Sequence, residues 1–145
     1  MIKSNLYRTN RKYNQYLGEL KTDSRSGCPF CVLDSREIYQ NYGEFLVIDN
    51  LYEYDFWDGA AVEQHLMIIP KRHISKIADM TKAEKLEYVE LLAKYNSDGY
   101  LLYTRYSGSI SGSQPHLHTH LIKQGKPKGK HIILNMNNLG IRLIK

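Results

Sequence analysis

The chain has 145 residues, the size of one ordinary domain, and its apolar and charged fractions of 42% and 24% are those of a globular protein. No apolar run is long enough to span a bilayer, and the basic N-terminus lacks the apolar segment of a secretory signal, so we expect a cytoplasmic protein without membrane attachment. The net charge of +5 is uneven, because seven basic residues and no acidic one follow Asp98. This asymmetry indicates an anionic partner, either the phosphates of a small molecule or nucleic acid, although a solvated basic tail also explains the lysines of 126–130.

The first elements are predicted from hydrophobic spacing. Tyrosines and leucines recur at helical spacing over residues 9–20, which predicts a short amphipathic helix. The apolar runs 45–48 and 65–69 predict buried strands, and Pro70 suits the end of the second because it has no N–H group. The segment 50–64 is irregular, acidic and aromatic, and we expect most of its aromatic residues to serve core packing or a surface loop.

The main helix is predicted to follow Thr81, because Thr81 and Glu84 have the spacing of a capping box. It should span 82–95, with an inward face made of Leu86, Val89, Leu92 and Ala93. Three further apolar or β-prone runs predict strands at 100–106, 116–123 and 131–134.

These elements predict an α+β fold, with an antiparallel sheet of about five strands, one main helix and a short N-terminal helix. We find no internal repeat and no linker that would divide the chain. We therefore expect a single domain over 1–145, with 1–24 as an N-terminal helical extension and 124–145 as a basic C-terminal segment.

The two cysteines form the pair Cys28-Pro-Phe-Cys31. In a reducing compartment such a pair indicates half of a metal site or a redox dithiol. The polar, loop-like stretch before Cys28 argues against the strand-to-helix setting of a redox pair. A zinc site would need two further ligands from elsewhere in the chain.

Three of the six histidines alternate along one predicted strand, at His116, His118 and His120. On a strand, residues two apart point to the same face, so the imidazoles should form a stripe. Alternation of this kind is improbable by chance, and it favours chemistry or metal binding over surface decoration. The preceding residues 111–114 are small and polar and are suited to wrapping an anion.

An imidazole stripe beside an anion nest suits a phosphate ester. A neutral histidine Nε2 can attack phosphorus when Nδ1 holds the proton against a fixed acceptor such as a backbone carbonyl. A second histidine can then stabilise the phosphoryl oxygens or protonate the leaving group. Catalytic zinc is the rival interpretation, but such sites usually recruit a carboxylate, and the nearest acid along the chain before His116 is Asp98.

The stretch His116-Leu-His118-Thr-His120-Leu-Ile resembles the motif of the histidine triad (HIT) family, in which three histidines alternate with apolar residues. Thr119 stands at one of the apolar positions. The resemblance covers most of the chain, because the cysteine pair, the strand ending at Asp49-Asn50, the segment 65–73 and the helix 82–95 occur in the order of HIT proteins.

The resemblance implies a nucleotide hydrolase or nucleotidyltransferase that cleaves at the α-phosphate and is often dimeric. His118 would be the nucleophile of a covalent nucleotidyl-histidine intermediate, and His120 would contact the phosphate. Substrate binding would involve Gln114 with Gly112 and Ser113 in the phosphate nest, and Asp49 or Asn50 at the ribose hydroxyls. The implied partner is a nucleotide, with a purine favoured over other bases, and a homodimer is implied.

The resemblance also implies a structural zinc ion, because some family members hold one with a cysteine pair and two histidines. The matching set in this chain is Cys28, Cys31, His73 and His116, and no organic cofactor is implied. The chain departs from the family at Gly112, where many members have glutamine, whereas Gln114 lies two residues later. The segment 50–64 is also longer than in the smallest members, a length that would allow it to close over the base or to mediate dimer contacts.

Two other functions fit the same residues. The first is a nucleotide-binding module without catalysis that uses the same pocket. The second is an enzyme acting on adenylylated nucleic-acid ends, which the basic C-terminal third motivates and the absence of a recognisable DNA-binding module after residue 130 disfavours.

Overall fold

The structure is a computed structural model that describes residues 7–22, 27–105, 108–109, 114–126, 131–135 and 140–144. Its helices and strands follow one another as α1 (Asn10–Thr22), β1 (Ile38–Asn41), β2 (Phe45–Asp49), β3 (Phe56–Trp57), β4 (Ala60–Pro70), α2 (Lys82–Ser97), β5 (Leu101–Thr104), β6 (Thr119–Gly125), β7 (His131–Asn135) and β8 (Gly140–Ile144). One-turn 3-10 helices occupy Pro29–Cys31, Ser35–Glu37 and Ile77–Asp79. No helix in these described ranges is long and apolar enough to cross a bilayer.

The main sheet has six antiparallel strands. Five of them lie in the order β1-β2-β4-β6-β5, and β3 pairs with the beginning of β4. Strands β7 and β8 form a separate two-stranded sheet. The α+β prediction is therefore confirmed, with more strands than the five expected from the sequence.

The face of the sheet that carries α2 holds the larger apolar core. There Phe45, Val47, Leu66, Ile68 and Leu121 pack with the helix, and each such burial contributes about 1.5–3 kcal/mol. The opposite face has a smaller apolar cluster around Ile48, Met67 and Ile69. Because both faces of β4 and β6 are covered, β4 is buried without interruption over 65–70 and β6 over 119–122, and neither stretch alternates between buried and exposed residues.

Helix α2 begins as predicted. Thr81 accepts a hydrogen bond from the Glu84 N–H at 3.2 Å, and the Glu84 carboxylate accepts from the Thr81 N–H at 2.6 Å. This capping box satisfies two donors of the first turn. Glu84 is buried, and the Arg72 guanidinium binds both of its oxygens at 3.0 and 2.8 Å, which holds the pKa of Glu84 down at about 2.

Only Leu92 of the predicted inward face of α2 packs against the core, and the rest of that prediction is wrong. Leu86 and Val89 are 65% and 60% exposed, and the residues that face the sheet are Glu84, Tyr88, Leu91 and Tyr95. The physical reason is that tyrosine buries its ring while its hydroxyl finds a partner. The Tyr88 hydroxyl lies 2.6 Å from Thr119 Oγ1 and 3.2 Å from Thr104 Oγ1.

Several strand boundaries differ from the sequence prediction, and those of β4 and β6 bear on the site. The irregular segment 50–64 contains β3 and the first part of β4, so β4 is longer than the predicted 65–69. Strand β6 begins at Thr119 and not at His116. Continued register would pair Leu117 with Pro70, which has no N–H to donate, and the Leu117 N–H instead donates to the Ile74 carbonyl at 2.7 Å.

Candidate functional site

The three triad histidines lie on the face of the sheet opposite α2, and all three are buried. His116, His118 and His120 are 1%, 8% and 5% exposed. His120 sits in β6, opposite Met67 on one side and Tyr103 on the other. This burial supports the prediction that the stripe is not surface decoration. A buried imidazole needs hydrogen-bond partners within the protein, and a decorative surface histidine does not.

His118 has the tautomer that a nucleophile requires. Its Nδ1 lies 2.8 Å from the carbonyl oxygen of His116, and because a carbonyl can only accept, Nδ1 carries the proton. The lone pair is then on Nε2. Burial, together with the charge of Arg105, lowers the pKa of His118, so the ring stays neutral near pH 7.

His116 has the opposite tautomer. Its Nε2 donates to the carbonyl oxygen of Pro70 at 2.9 Å, which leaves the lone pair on Nδ1. Nδ1 lies 3.4 Å from the Sγ atom of Cys28 and 3.6 Å from that of Cys31. Two histidines that are only two residues apart therefore present different nitrogens to different surroundings.

The cysteine pair and two histidines form a compact group with the composition of a zinc site. One ligand atom from each of Cys28, Cys31, His73 and His116 lies within 4.8 Å of the others, and the His73 Nδ1 is 3.3 Å from the Cys31 Sγ. A tetrahedral zinc ion with bonds of about 2.3 Å to sulfur and about 2.0 Å to nitrogen places its ligand atoms about 3.3–3.8 Å apart. The donor set and its spacing thus fit zinc.

Further chemistry in this group agrees with a bound cation. The Nε2–H of His116 already donates to the Pro70 carbonyl, the outer hydrogen bond that usually fixes the ring of a metal-bound histidine.

A fourth histidine, His65 in β4, completes the site and was missed in the sequence as a functional residue. It is 1% exposed, and its Nε2 lies 2.9 Å from the Nδ1 of His120. The signal was present, since an imidazole inside the apolar run 65–69 needs a partner when buried. The partner becomes visible only with the register of β4 and β6.

A backbone amide fixes the protons of both rings. The Tyr54 N–H donates to the Nδ1 of His65 at 3.1 Å, so the proton of His65 is on Nε2 and is donated to the Nδ1 of His120. The proton of His120 is therefore on its Nε2. Burial is the main cause that lowers the pKa of His65 to about 3 and the pKa of His120 well below its usual value, so both rings are neutral.

The other predicted binding residues divide into three groups. The buried Asn50 places its Nδ2 at 3.0 Å from the Nε2 and 3.3 Å from the Nδ1 of His65 and accepts from the Tyr52 N–H at 2.9 Å, so it supports His65. Asp49 is exposed and pairs with Leu66, whose face packs towards α2, so the structure does not bring Asp49 to the histidines. Gln114 is half-buried just before the triad, and Gly112 and Ser113 lie outside the described residues.

Aromatic rings of the segment 50–64 enclose the histidines, which the sequence prediction of core packing or a surface loop did not specify. The Tyr54 ring centroid is 5.6 Å from that of His120 and 5.6 Å from that of Trp57. Tyr103 of β5 contacts both Trp57 and His120, at 4.8 and 5.9 Å. Phe30, from between the two cysteines, lies edge-on to His118 at 5.4 Å.

Arg105 follows β5 and was not singled out in the sequence. The register pairs Tyr103 with His120 and Thr104 with Thr119, and Arg105 follows at the end of this pairing, where its charge helps to lower the pKa of His118. Its guanidinium donates to the Tyr54 hydroxyl at 3.0 Å and lies 5.2 Å from the centroid of the Tyr103 ring. A fixed positive charge therefore stands beside the histidine that has the nucleophilic tautomer.

Comparison with known proteins gave structural matches only, since no protein-family model and no curated protein matches the sequence. A HIT family hydrolase from Legionella pneumophila Philadelphia 1 superposes with a TM-score of 0.51 at 20% identity, over 69% of this chain and 94% of that chain. The HIT family hydrolase from Clostridium thermocellum superposes with a TM-score of 0.50 at 22% identity, over 76% of this chain and 100% of that chain.

The Plasmodium falciparum diadenosine triphosphate hydrolase, solved in complex with Cyclomarin A, is also similar. It gives a TM-score of 0.51 at 13% identity, over 81% of this chain and 86% of that chain. At these sequence identities, the superpositions establish that the folds are alike. The chain therefore has the α+β fold of the HIT family hydrolases.

Proposed function

We propose that the protein is a nucleotide hydrolase or nucleotidyltransferase of the HIT type, which cleaves at the α-phosphate through a covalent intermediate on His118. The observation that carries the proposal is the hydrogen bond from the His118 Nδ1 to the His116 carbonyl, because it leaves a neutral, buried Nε2 free to attack. The fold supports the same class, since similar structures include two HIT family hydrolases and a diadenosine triphosphate hydrolase.

The first step forms a bond between the His118 Nε2 and the α-phosphorus and breaks the bond from phosphorus to the leaving group, which takes the electron pair. The positive charge that develops on the ring is stabilised through the Nδ1–H bond to the His116 carbonyl. In the second step, water or another acceptor attacks phosphorus, the P–N bond breaks, and its electron pair returns to Nε2. The proton of the attacking water leaves with the nucleotide product or to solvent.

His120 is proposed to donate its Nε2–H to a phosphoryl oxygen in both steps. Its Nδ1 accepts from His65, so its Nε2 always bears the proton. Gln114 is proposed to line the phosphate nest with Gly112 and Ser113. Asn50 is proposed as a positioning residue, because its amide contacts His65.

Zinc is proposed as a structural ion held by Cys28, Cys31, His73 and His116. When bound, it supplies no chemistry to the substrate and holds four ligands from three parts of the chain together. Two of those ligands flank Phe30, which packs on His118, and a third immediately precedes the nucleophile segment. The bound ion would thereby help to hold Phe30 and the His116 carbonyl, which both contact the His118 ring.

Trapping of the intermediate tests the proposal. The wild-type protein is mixed with a nucleotide labelled at the α-phosphate and quenched within milliseconds to seconds in alkali, where a phosphohistidine bond survives. We expect a labelled protein whose label is released by acid and maps to His118. Binding of the nucleotide without any label on the protein would contradict catalysis and identify a nucleotide-binding module.

His65→Phe should lower kcat by about 10- to 100-fold with little change in KM, because His120 loses the donor that fixes its tautomer. The same change lets the His120 Nδ1 take a second proton, so the kcat profile should gain a new acid limb near neutral pH. Steady-state kinetics from pH 5 to 9 measure both effects.

The matched control is His65→Gln, whose amide can still donate to the His120 Nδ1 and should restore most of kcat. A purely structural role for His65 would lower the melting temperature and leave the pH profile of the remaining activity unchanged. Unaltered kcat and pH profile in His65→Phe would contradict the assigned role.

The proposal includes a cytoplasmic homodimer that takes a purine nucleotide. The dimer and the purine preference rest on the resemblance of the sequence motifs, and the location rests on two unbridged cysteines placed as metal ligands. Sedimentation equilibrium, cell fractionation and a comparison of four nucleobases test these three points, and a monomer, a secreted protein or equal use of all bases would contradict them in turn.

A further inference from the structure

The leaving group is constrained by which protons the site can supply. An amine leaving group, as in a nucleoside phosphoramidate, must gain a proton as the P–N bond of the substrate breaks. The phosphate leaving group of a phosphoric anhydride departs as an anion without one. The two substrate classes therefore differ in their need for a general acid.

The described histidines do not provide that acid. His120 could act as an acid only as an imidazolium, with protons on both nitrogens. Its Nδ1 faces the Nε2–H of His65, and the Nδ1 of His65 faces the backbone N–H of Tyr54, so a second proton on either ring would face a donor. The Nδ1–H of His118 is held by a carbonyl on the side of the ring away from Nε2.

The site supplies a fixed cation instead. Arg105 follows the last residue pair of β5 and β6, its charge helps to lower the pKa of His118 and of His120, and the Tyr54 hydroxyl and the Tyr103 ring hold its guanidinium. Both of these rings also contact His120. A guanidinium keeps its charge at any working pH and binds phosphate oxygens in a bidentate manner.

A second guanidinium adds to the positive potential here. Arg8 lies 4.8 Å from the centroid of the Tyr54 ring and 4.7 Å from that of Tyr16, and it donates to the backbone carbonyls of Tyr52 and Glu53. These carbonyls and rings hold Arg8 in place. Of the two guanidinium groups, Arg105 is the one whose charge helps to lower the pKa of His118.

We propose that Arg105 is a specificity residue that binds the departing phosphate, and that the chain consequently prefers phosphoric anhydrides of nucleotides over nucleoside phosphoramidates. The inference rests on the proposed function. The anhydride oxygen that leaves the α-phosphorus carries the electron pair of the broken bond, and the guanidinium stabilises the resulting negative charge. No proton is required on the leaving group.

The test compares two adenosine substrates that share the α-phosphate, diadenosine triphosphate and adenosine 5′-phosphoropropylamidate. The zinc-loaded wild-type protein should have a kcat/KM at least about tenfold higher for the triphosphate. Arg105→Gln should lower kcat/KM for the triphosphate by about 100-fold and for the amidate by less than about threefold. Arg105→Lys should give a kcat/KM for the triphosphate between those of the wild type and Arg105→Gln, because the lysine ammonium keeps the charge but not the paired N–H donors of the guanidinium.

The matched control is Lys94→Gln, which removes one positive charge from the exposed surface of α2, where Lys94 pairs with Asp98 at 3.0 Å. It should leave both substrates unaffected. Equal losses for the two substrates in Arg105→Gln, or a wild-type preference for the amidate, would overturn the inference.

A binding measurement separates this inference from the proposed function. In the His118→Ala background, calorimetry should show ADP binding about tenfold more tightly than AMP, and Arg105→Gln should remove the difference. Equal affinities in the presence of Arg105 would overturn the role of Arg105. A failure to label His118 would instead overturn the covalent mechanism while leaving the ADP and AMP comparison informative.

Discussion

His118→Ala is expected to lower the rate of nucleotide cleavage by at least about 1,000-fold and to leave nucleotide affinity within about threefold. The variant removes the atom that forms the covalent bond, and the other two triad histidines have lone pairs that are already engaged, at the Nδ1 of His120, which accepts from His65, and at the Nδ1 of His116, which faces the cysteines. Single-turnover kinetics and calorimetry with the same nucleotide measure the two quantities.

The control is His118→Asn, whose side-chain amide can still donate to the His116 carbonyl but has no nucleophilic nitrogen. Both variants should lose turnover equally if attack by Nε2 is the essential event. Recovery of activity in His118→Asn would show that the hydrogen bond matters and the covalent step does not. Zinc content should be about one per chain in both variants, since neither change removes a proposed ligand.

Cys28→Ser is expected to lower bound zinc to less than about 0.1 per chain and to reduce stability by about 3 kcal/mol, a fall in melting temperature of about 10 °C. Metal bound only by the folded chain adds its binding free energy to folding, so loss of one of four ligands removes much of that contribution. Elemental analysis and differential scanning calorimetry provide the measurements.

Cys31→Ser serves as the matched variant, because its Sγ lies near the His73 Nδ1 on the other side of the proposed ion. Wild-type protein treated with a strong chelator should melt at the same temperature as the two serine variants, and the chelator should not affect those variants further. Stoichiometric zinc with unchanged melting in Cys28→Ser would remove the cysteine pair from the site.

The grouping of Cys28, Cys31, His73 and His116 could be predicted from the sequence because a motif resemblance supplied the two missing ligands. The fold class and the order of the main elements were likewise predictable from apolar runs and a capping box. In these cases short sequence patterns were sufficient for the prediction, and the structure confirms that the segments that contain them lie together.

The roles of His65 and Arg105 could not be predicted in this way. Each depends on which residue stands opposite it on a neighbouring strand, and a shift of one residue in register would move either side chain to the other face. The face of α2 was mispredicted for a different reason. Hydrophobicity ranks Leu86 above Tyr88, but the tyrosine hydroxyl has two threonine partners in the sheet.

Pro70 ends the ladder between β4 and β6, and this has a practical consequence for the site. A regular strand would have given His116 and His118 equivalent surroundings, as their even spacing suggests. The chain instead bends before Thr119. The His116 Nδ1 then lies beside the cysteines, whereas the His118 ring lies edge-on to Phe30. Substitution of His118 should therefore remove turnover while the four proposed zinc ligands stay in place.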